Sequence, residues 1–391
     1  MRTTFSTVPL AGFPFPRSEY ERRQQNVLEA VESAKLDAIV VTAHGHLRYL
    51  TGYDGSGGYF APFPLILAPG RAPTYVVRKF DEQAVRAYGC IDQIDTYVEQ
   101  SDFAKACADV IRRQGLQSKR IGFELGCSNL APADVSALQA QVPDLKMADV
   151  SRLVSSVAAV KSDLELEVMR DAMRMTDAAV RAFQSSLREG VTELEMVGTM
   201  AAAVEAVTGK ANGEIGMSQP NILFGERTKL PHGYPMQHPI KKNEPAFLEV
   251  GASKHGYFAG LVRCAVLGRH PEAESLHSLA EEVIEAVVAS IRPGITAGAV
   301  DAAGREVLKR SGRHGVFRQR TGYQTGINWT ERGDLSLEPN AHDILKPSMT
   351  LHMPNILCSE NGYLFGTGAH VLVTESGAEI LSHVPSSLYR A

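Results

Sequence analysis

A lone carboxylate stands in the apolar run FLEVGASKHGYFAGLVRCAVLG (residues 247–268). Its flanks read as two short strands joined by a turn. Period-two alternation places Phe247, Glu249 and Gly251 on one face and Leu248 and Val250 on the other. A carboxylate on so apolar a strand must have a partner or open onto a functional pocket, because an unpaired buried charge is costly. Glu249 is therefore the first candidate catalytic group, and a structural ion pair with Arg263 is the plain alternative. The loop RTKLPHGYPMQH (227–238) brings His232 and His238, imidazoles suited to proton transfer near neutral pH. The segment RTGYQTGINWTERGDLSL (320–337) carries Tyr323, the chain's single tryptophan Trp329, and Arg332. Arg332 could clamp a substrate carboxylate or pair with Glu331 or Asp334. MTLHMPNIL (349–357) places His352 in a buried-looking run, where it is either catalytic or a core histidine bonded to backbone, and His370 in GTGAHVLVTESG poses the same question.

The elements that must hold these residues fall into two parts. The first alternates SEYERRQQNVLEAVESAKL, with helical periodicity, and the strand-like runs DAIVVTA, FPLILAP and PTYVVRKF, which predicts a small α/β domain. At residues 150–162 the pattern changes to a long amphipathic helix capped by Ser162 or Asp163. The domains are accordingly set at 1–156 and 157–391. The second part contains an echo: LREGVTELEMVGTMAAAVEAV and IRPGITAGAVDAAGREVL each read helix, Gly-[Val/Ile]-Thr turn, helix, and strand-like runs follow each. Thr192 with Glu195 makes a capping box, and Thr296 holds the matching place. Two such units would leave a site at their junction.

Bulk composition narrows the function. The 391 residues suffice for two domains, and 44% apolar residues, 21% charged residues and a net charge of -4 give no basic excess for nucleic acid or anionic membranes. The opening residues lack an apolar run of signal-peptide length and no segment approaches the roughly 20 residues of a membrane span, so a cytoplasmic protein is expected. The five cysteines are scattered without metal-like spacing, and Cys358 has no activating motif.

The segments AAVKSDLELEVMRDAM, LPHGYP, FLEVGASKHGYFAGLVR, RTGYQTGINW and LVTESGAEIL together resemble the creatinase/aminopeptidase family with the pita-bread fold, and HLRYLTGYDG resembles its N-terminal creatinase-like domain. The resemblance implies an N-terminal creatinase-like α/β domain followed by a C-terminal pita-bread domain of two pseudo-repeated α-β halves. Metallopeptidase members hold two cations with two Asp, one His and two Glu. That pattern falls here on Glu249, Gly260, Tyr323, a position at or beside Met353, and one near Gly368, so at most one ligand survives. Such a set lacks both ligand number and charge. The departures resemble instead the metal-free branch that includes creatinase and ectoine hydrolase. They imply a metal-independent, cofactor-free hydrolase cleaving a carbon-nitrogen bond of a small zwitterion: a cyclic amidine, an amide or a guanidino group. Creatine itself fits poorly, because TGYDGSGGYFAPF lacks an arginine and Val262 stands where creatinase has Glu. Glu249, His232, Tyr323 and His352 are the expected catalytic residues; Tyr53, Arg263, Trp329, Arg332 and His370 the expected substrate contacts. The resemblance also implies a homodimer in which Tyr53, Asp54 or Tyr59 could complete a neighbour's site. The alternatives are an Xaa-Pro metallopeptidase or dipeptidase, and a non-catalytic binding protein.

Overall fold

The structure is a computed structural model describing residues 13–53, 56–58, 61–208, 215–330 and 333–391. The described residues form two compact units, the first running to Ala158 and taking in Gly333 and Asp334, the second comprising the rest.

The first unit contains helices α1 (Arg17–Ser33), α2 (His44–Thr51), α3 (Glu82–Tyr88), α4 (Phe103–Arg113), α5 (Pro132–Gln141) and α6 (Leu153–Ala158). Its strands are β1 (Ala38–Val41), β2 (Leu65–Leu67), β3 (Thr74–Arg78), β4 (Gln93–Tyr97), β5 (Arg120–Phe123) and β6 (Lys146–Asp149). They make one mixed sheet ordered β4-β3-β2-β1-β5-β6. The central strands β1 and β2 are buried throughout, which is why they read as unbroken apolar runs. Tyr53 is buried in this unit with its ring edge-on to Tyr75, 6.4 Å between centroids. Asp54 and Tyr59 lie outside the described residues.

The second unit is built twice from one plan. In its first half, α7 (Asp163–Ser186) and α8 (Glu193–Thr208) precede β7 (Ile215–Met217), β8 (Asn221–Phe224), β9 (Glu244–Lys254) and β10 (Tyr257–Leu267). In its second half, α9 (Pro271–Ser290) and α10 (Ala297–Arg310) precede β11 (Phe317–Arg318), β12 (Gly322–Gln324), β13 (Ser336–Leu337), β14 (Thr350–Met353), β15 (Ile356–Cys358), β16 (Leu364–Gly366), β17 (Ala369–Val373), β18 (Ala378–Ile380) and β19 (Tyr389–Arg390). Ser162 caps α7 in a box with Glu165, Thr192 and Glu195 do the same for α8, and Thr296 caps α10. The echo reaches single hydrogen bonds. Gly190 and Gly294, at φ 84° and 85°, occupy the same place in the two turns. Gly190 N donates to Ile240 O and Ile240 N to Val191 O; Gly294 N donates to Leu345 O and Leu345 N to Ile295 O.

The antiparallel pair β9 and β10 turns on His255 and Gly256, both at positive φ, the backbone a tight two-residue hairpin requires. Its register sets Glu249 opposite Val262 and Gly251 opposite Gly260. The second half supplies the facing sheet, ordered β13-β12-β14-β17-β18. There Tyr323 pairs with His352 and His352 with His370, so all three point to one side. Strands of both halves and helices α9 and α10 close over one apolar cluster that includes Phe247, Val262, Leu276, Leu351 and Phe365.

Candidate active site

Between the two halves of this unit lies a cavity of about 480 Å³, lined by Glu249, His232, Tyr323 and Trp329 together with Asn221, Ser218 and Arg320. Four of the residues singled out by type and spacing thus meet. Glu249 is the only carboxylate among the described residues that line it, and its side chain keeps 16% of its surface exposed. Behind it stands His352, fully buried, with Nε2 3.4 Å from Glu249 Oε1. His352 does not line the cavity, which corrects its expected role as a donor to substrate. Its Nε2 is within hydrogen-bond distance of the carboxylate, and its Nδ1 has no partner among the described residues.

Tyr323 presents its hydroxyl from β12 and accepts a hydrogen bond there from Trp329 Nε1 at 2.6 Å. Burial, then the charge of Glu249, pushes the phenol up to about 12, so it stays protonated and able to donate. The Trp329 indole rests on the two facing glycines. A Cβ on Gly251 would lie 2.0 Å from indole Cζ3, and one on Gly260 would lie 2.5 Å from Cη2. Edge contacts with Phe258 and His352, at 6.0 and 5.3 Å between centroids, fix the ring further.

His232 reaches the cavity from an exposed loop at φ 55°. The loop is held by a residue that sequence reasoning missed. Glu193, the first residue of α8, is fully buried and accepts from Phe224 N, Met236 N and Arg227 Nε, while Arg227 also donates to Tyr234 O. An acidic residue in the first turn of a helix meets the helix dipole as a local matter; its span to the loop needed the fold. His238 uses its carbonyl to accept from Glu193 N and is not among the lining residues.

Two further expected contacts are corrected. Arg263 is buried and bonded to the carbonyls of Pro385, Val262, Gly368 and Val384 at 2.6–2.9 Å, so it fastens the C-terminal segment to β10 and is withheld from substrate. His370 is fully buried; its Nδ1 accepts from Gly260 N at 3.1 Å and its Nε2 meets Thr325 Oγ1 at 3.0 Å. It ties the two sheets together behind the cavity. Arg332 lies outside the described residues. Arg320, passed over in the sequence, is the arginine that lines the cavity. Cys358 lies on β15, away from the lining residues.

Burial pushes His370 down to about 3 and, on α9, His277 down to about 4. Both imidazoles are therefore neutral in the folded chain at pH values where the unfolded chain would protonate them. Stability from these sites is complete above the unfolded value near 6.5 and is lost as pH falls towards the folded values. At pH 5 each should have withdrawn roughly 2 kcal/mol. Thermal unfolding of His277→Phe should show a shallower decline between pH 6.5 and 5 than the unaltered chain; an identical decline would contradict the assignment.

The chain belongs to the metallopeptidase family M24, whose sequence pattern matches residues 167–375. The Creatinase/Prolidase N-terminal domain matches residues 23–160. The fold is accordingly a creatinase-like N-terminal domain followed by a pita-bread domain, and the family is one of hydrolases. An uncharacterized hydrolase/peptidase of Sinorhizobium fredii is 28% identical over 96% of this chain and 97% of its own length. The ectoine hydrolase of Halomonas elongata is 27% identical over 97% and 98%. Among solved structures, dipeptidase PepE from Mycobacterium ulcerans superposes with a TM-score of 0.83 at 20% identity, covering 96% of this chain and 100% of that one. A prolidase from Thermococcus sibiricus gives 0.82 at 20%, covering 95% and 99%. Among the described residues no helix is long and apolar enough to cross a membrane.

A metal centre is implied by the family's name, and the residues present do not fit one. Among the described residues that line the cavity Glu249 is the one carboxylate, and the facing strand offers Val262 opposite Glu249 and Gly260 opposite Gly251. The indole of Trp329 fills the space that a side chain at Gly260 would need. Among the described residues no three His, Cys, Asp or Glu side chains group so as to hold a cation.

Proposed function

We propose that the protein is a metal-independent hydrolase that cleaves a carbon-nitrogen bond of a small zwitterionic compound, in the manner of an ectoine hydrolase and not of an Xaa-Pro peptidase. The reading is carried by one observation: among the described residues that line the cavity there is a single carboxylate, and an indole lies where the pattern of the metallopeptidases requires the second. Without Lewis-acid help the electrophile must be polarised by protein hydrogen bonds and water activated by a protein base. Glu249, steadied by His352, takes a proton from water as the oxygen forms its bond to the amidine or amide carbon. The Tyr323 hydroxyl, its lone pair engaged by Trp329, donates to charge developing at that centre. His232 protonates the nitrogen as the carbon-nitrogen bond breaks and the added hydroxyl gives up its proton to become the carbonyl; that proton and the one held by Glu249 go to His232 and to the released amine. One water is consumed; a cyclic amidine opens to a single product, and an open-chain amide or guanidino compound gives two.

The 27% identity to an ectoine hydrolase over nearly the whole of both chains supports this reading. The test is hydrolysis of ectoine, hydroxyectoine, creatine and Xaa-Pro dipeptides, with products identified by mass. Turnover of an amidine or guanidino compound with none of the dipeptides supports the reading; preferred cleavage of dipeptides sinks it. On the substrate so found, His232→Ala should lower kcat by roughly 10²-fold with KM little changed. Equal kinetics for the variant would remove His232 from the mechanism.

A further inference from the structure

We propose that the second unit carries a second ligand site, separate from the cavity at Glu249: a pocket along α7 that takes a small organic dianion, one acid group held between Arg174 and Lys254 and the other by Arg181. The proposal stands whether or not the hydrolase reading holds.

The pocket has a volume of about 640 Å³, more than the cavity at Glu249, and among the described residues shares no lining residue with it. Helix α7 forms its length. Positions 174 and 181 lie seven residues apart, about two turns or roughly 10 Å along the axis, on one face with Asp171 and Ala178. Lys254, at the end of β9, stands beside Arg174 because both reach the same carboxylate: Arg174 NH2 donates to Asp171 Oδ1 and Lys254 Nζ to Asp171 Oδ2. One carboxylate shared by two cations fixes their positions and leaves a net positive charge. The walls are rigid, since Thr176 Oγ1 donates to Ala259 O at 2.6 Å and accepts from Ala252 N at 2.8 Å, tying α7 to β9 and β10.

The other end is barer. Arg181 approaches a carboxylate at Asp177, 3.8 Å away, and makes no hydrogen bond among the described residues. Asp177 is already engaged: it is buried and accepts from Ser382 Oγ at 2.6 Å and His383 N at 2.8 Å, fastening the C-terminal segment to α7. The fork of Arg181 therefore keeps its capacity for a two-pronged bond to an acid group. An exposed arginine is ordinarily satisfied by water, but this one borders a concave surface whose middle is apolar, with Met175 and Ala178 from α7, Val207 from the end of α8 and Ile215 from β7. A cleft with cations two turns apart and hydrocarbon between them concentrates anions and suits an acid group at each end of an apolar chain. A monoanion would leave one end unanswered, and inorganic phosphate would leave the hydrocarbon wet.

Isothermal titration calorimetry of the full chain at fixed salt tests this with suberate, whose carboxylates stand at the two ends of an alkyl chain, against hexanoate, malonate and inorganic phosphate. Suberate should bind in a single equivalent and at least about 10-fold more tightly than each of the others. Arg181→Gln should weaken suberate by roughly 10- to 100-fold, and Arg181→Lys should recover part of the loss. Glu249→Gln and Arg320→Gln should leave suberate binding unchanged, since neither residue lines this pocket. Arg181 is exposed and carries no hydrogen bond among the described residues, so circular dichroism of its variants should match that of the unaltered chain. Suberate that fails to saturate, binds no better than the other anions, or binds equally well to Arg181→Gln would overturn the proposal. Loss of binding in Arg320→Gln would overturn it too, by placing the dianion in the cavity at Glu249.

Discussion

Glu249→Gln is expected to lower kcat by roughly 10² to 10⁴-fold, the span associated with a positioned acid-base group, while the unfolding midpoint stays close to that of the unaltered chain. The amide keeps the volume of the carboxylate and can still meet His352 Nε2, now 3.4 Å from Glu249 Oε1, so the neighbouring packing has no reason to change. What it loses is the ability to accept a proton from water. The only carboxylate among the residues described as lining the cavity is gone, and neither Tyr323, whose phenol stays protonated, nor exposed His232 on the opposite loop stands in the same place. Steady-state kinetics with paired thermal unfolding decide the matter. A variant that keeps more than a tenth of the rate would show that Glu249 is not the base.

Arg263→Met should do the opposite: lower stability by roughly 3 kcal/mol or more and leave KM of the folded fraction unchanged. The guanidinium is buried and serves four carbonyls on three separate segments, at positions 262, 368 and 384–385. Removing it strands those acceptors away from water, and the methionine has nothing to offer them. Burial also draws the guanidinium down to about 10, opposed by the charge of Asp177, so the site carries the cost of a desolvated cation that its hydrogen bonds help offset. Urea titration measures the loss. Unchanged stability together with a raised KM would restore Arg263 to the substrate.

The contrast between Arg263 and Arg320 shows how far the sequence could be read. Glu249, His232, Tyr323 and Trp329 were legible because each is a chemically active residue in an unexpected setting: an acid in an apolar strand, an imidazole between Pro and Gly, a phenol and an indole in a Gly-rich segment. The two-fold echo was legible too, since caps and turn glycines are local signals. Arg263 was misassigned although a signal existed. Val262 pairs with Glu249 and shares its face, so period-two alternation turns Arg263 to the other side with Leu248. His352 and His370 do share the correct side, but the indole of Trp329 and the backbone of Gly260 cover them, and such covering depends on a long-range contact that no spacing encodes. Arg320 and Asn221 became visible only once β12 and β8 had been set beside Glu249. The anchoring of the His232 loop by Glu193 spans 31 to 43 positions and is equally non-local.

The role of Trp329 ties these observations together. An indole in contact with two glycines does not accommodate a second acid, and a solitary carboxylate beside a fixed aromatic ring is a different chemical instrument from a cation bridge. The most direct measurement is turnover of the identified substrate by enzyme stripped with chelator and assayed for metal by elemental analysis. The account predicts full activity with metal far below one equivalent and no gain on adding manganese or zinc. Loss of activity on chelation, restored by either ion, would contradict it.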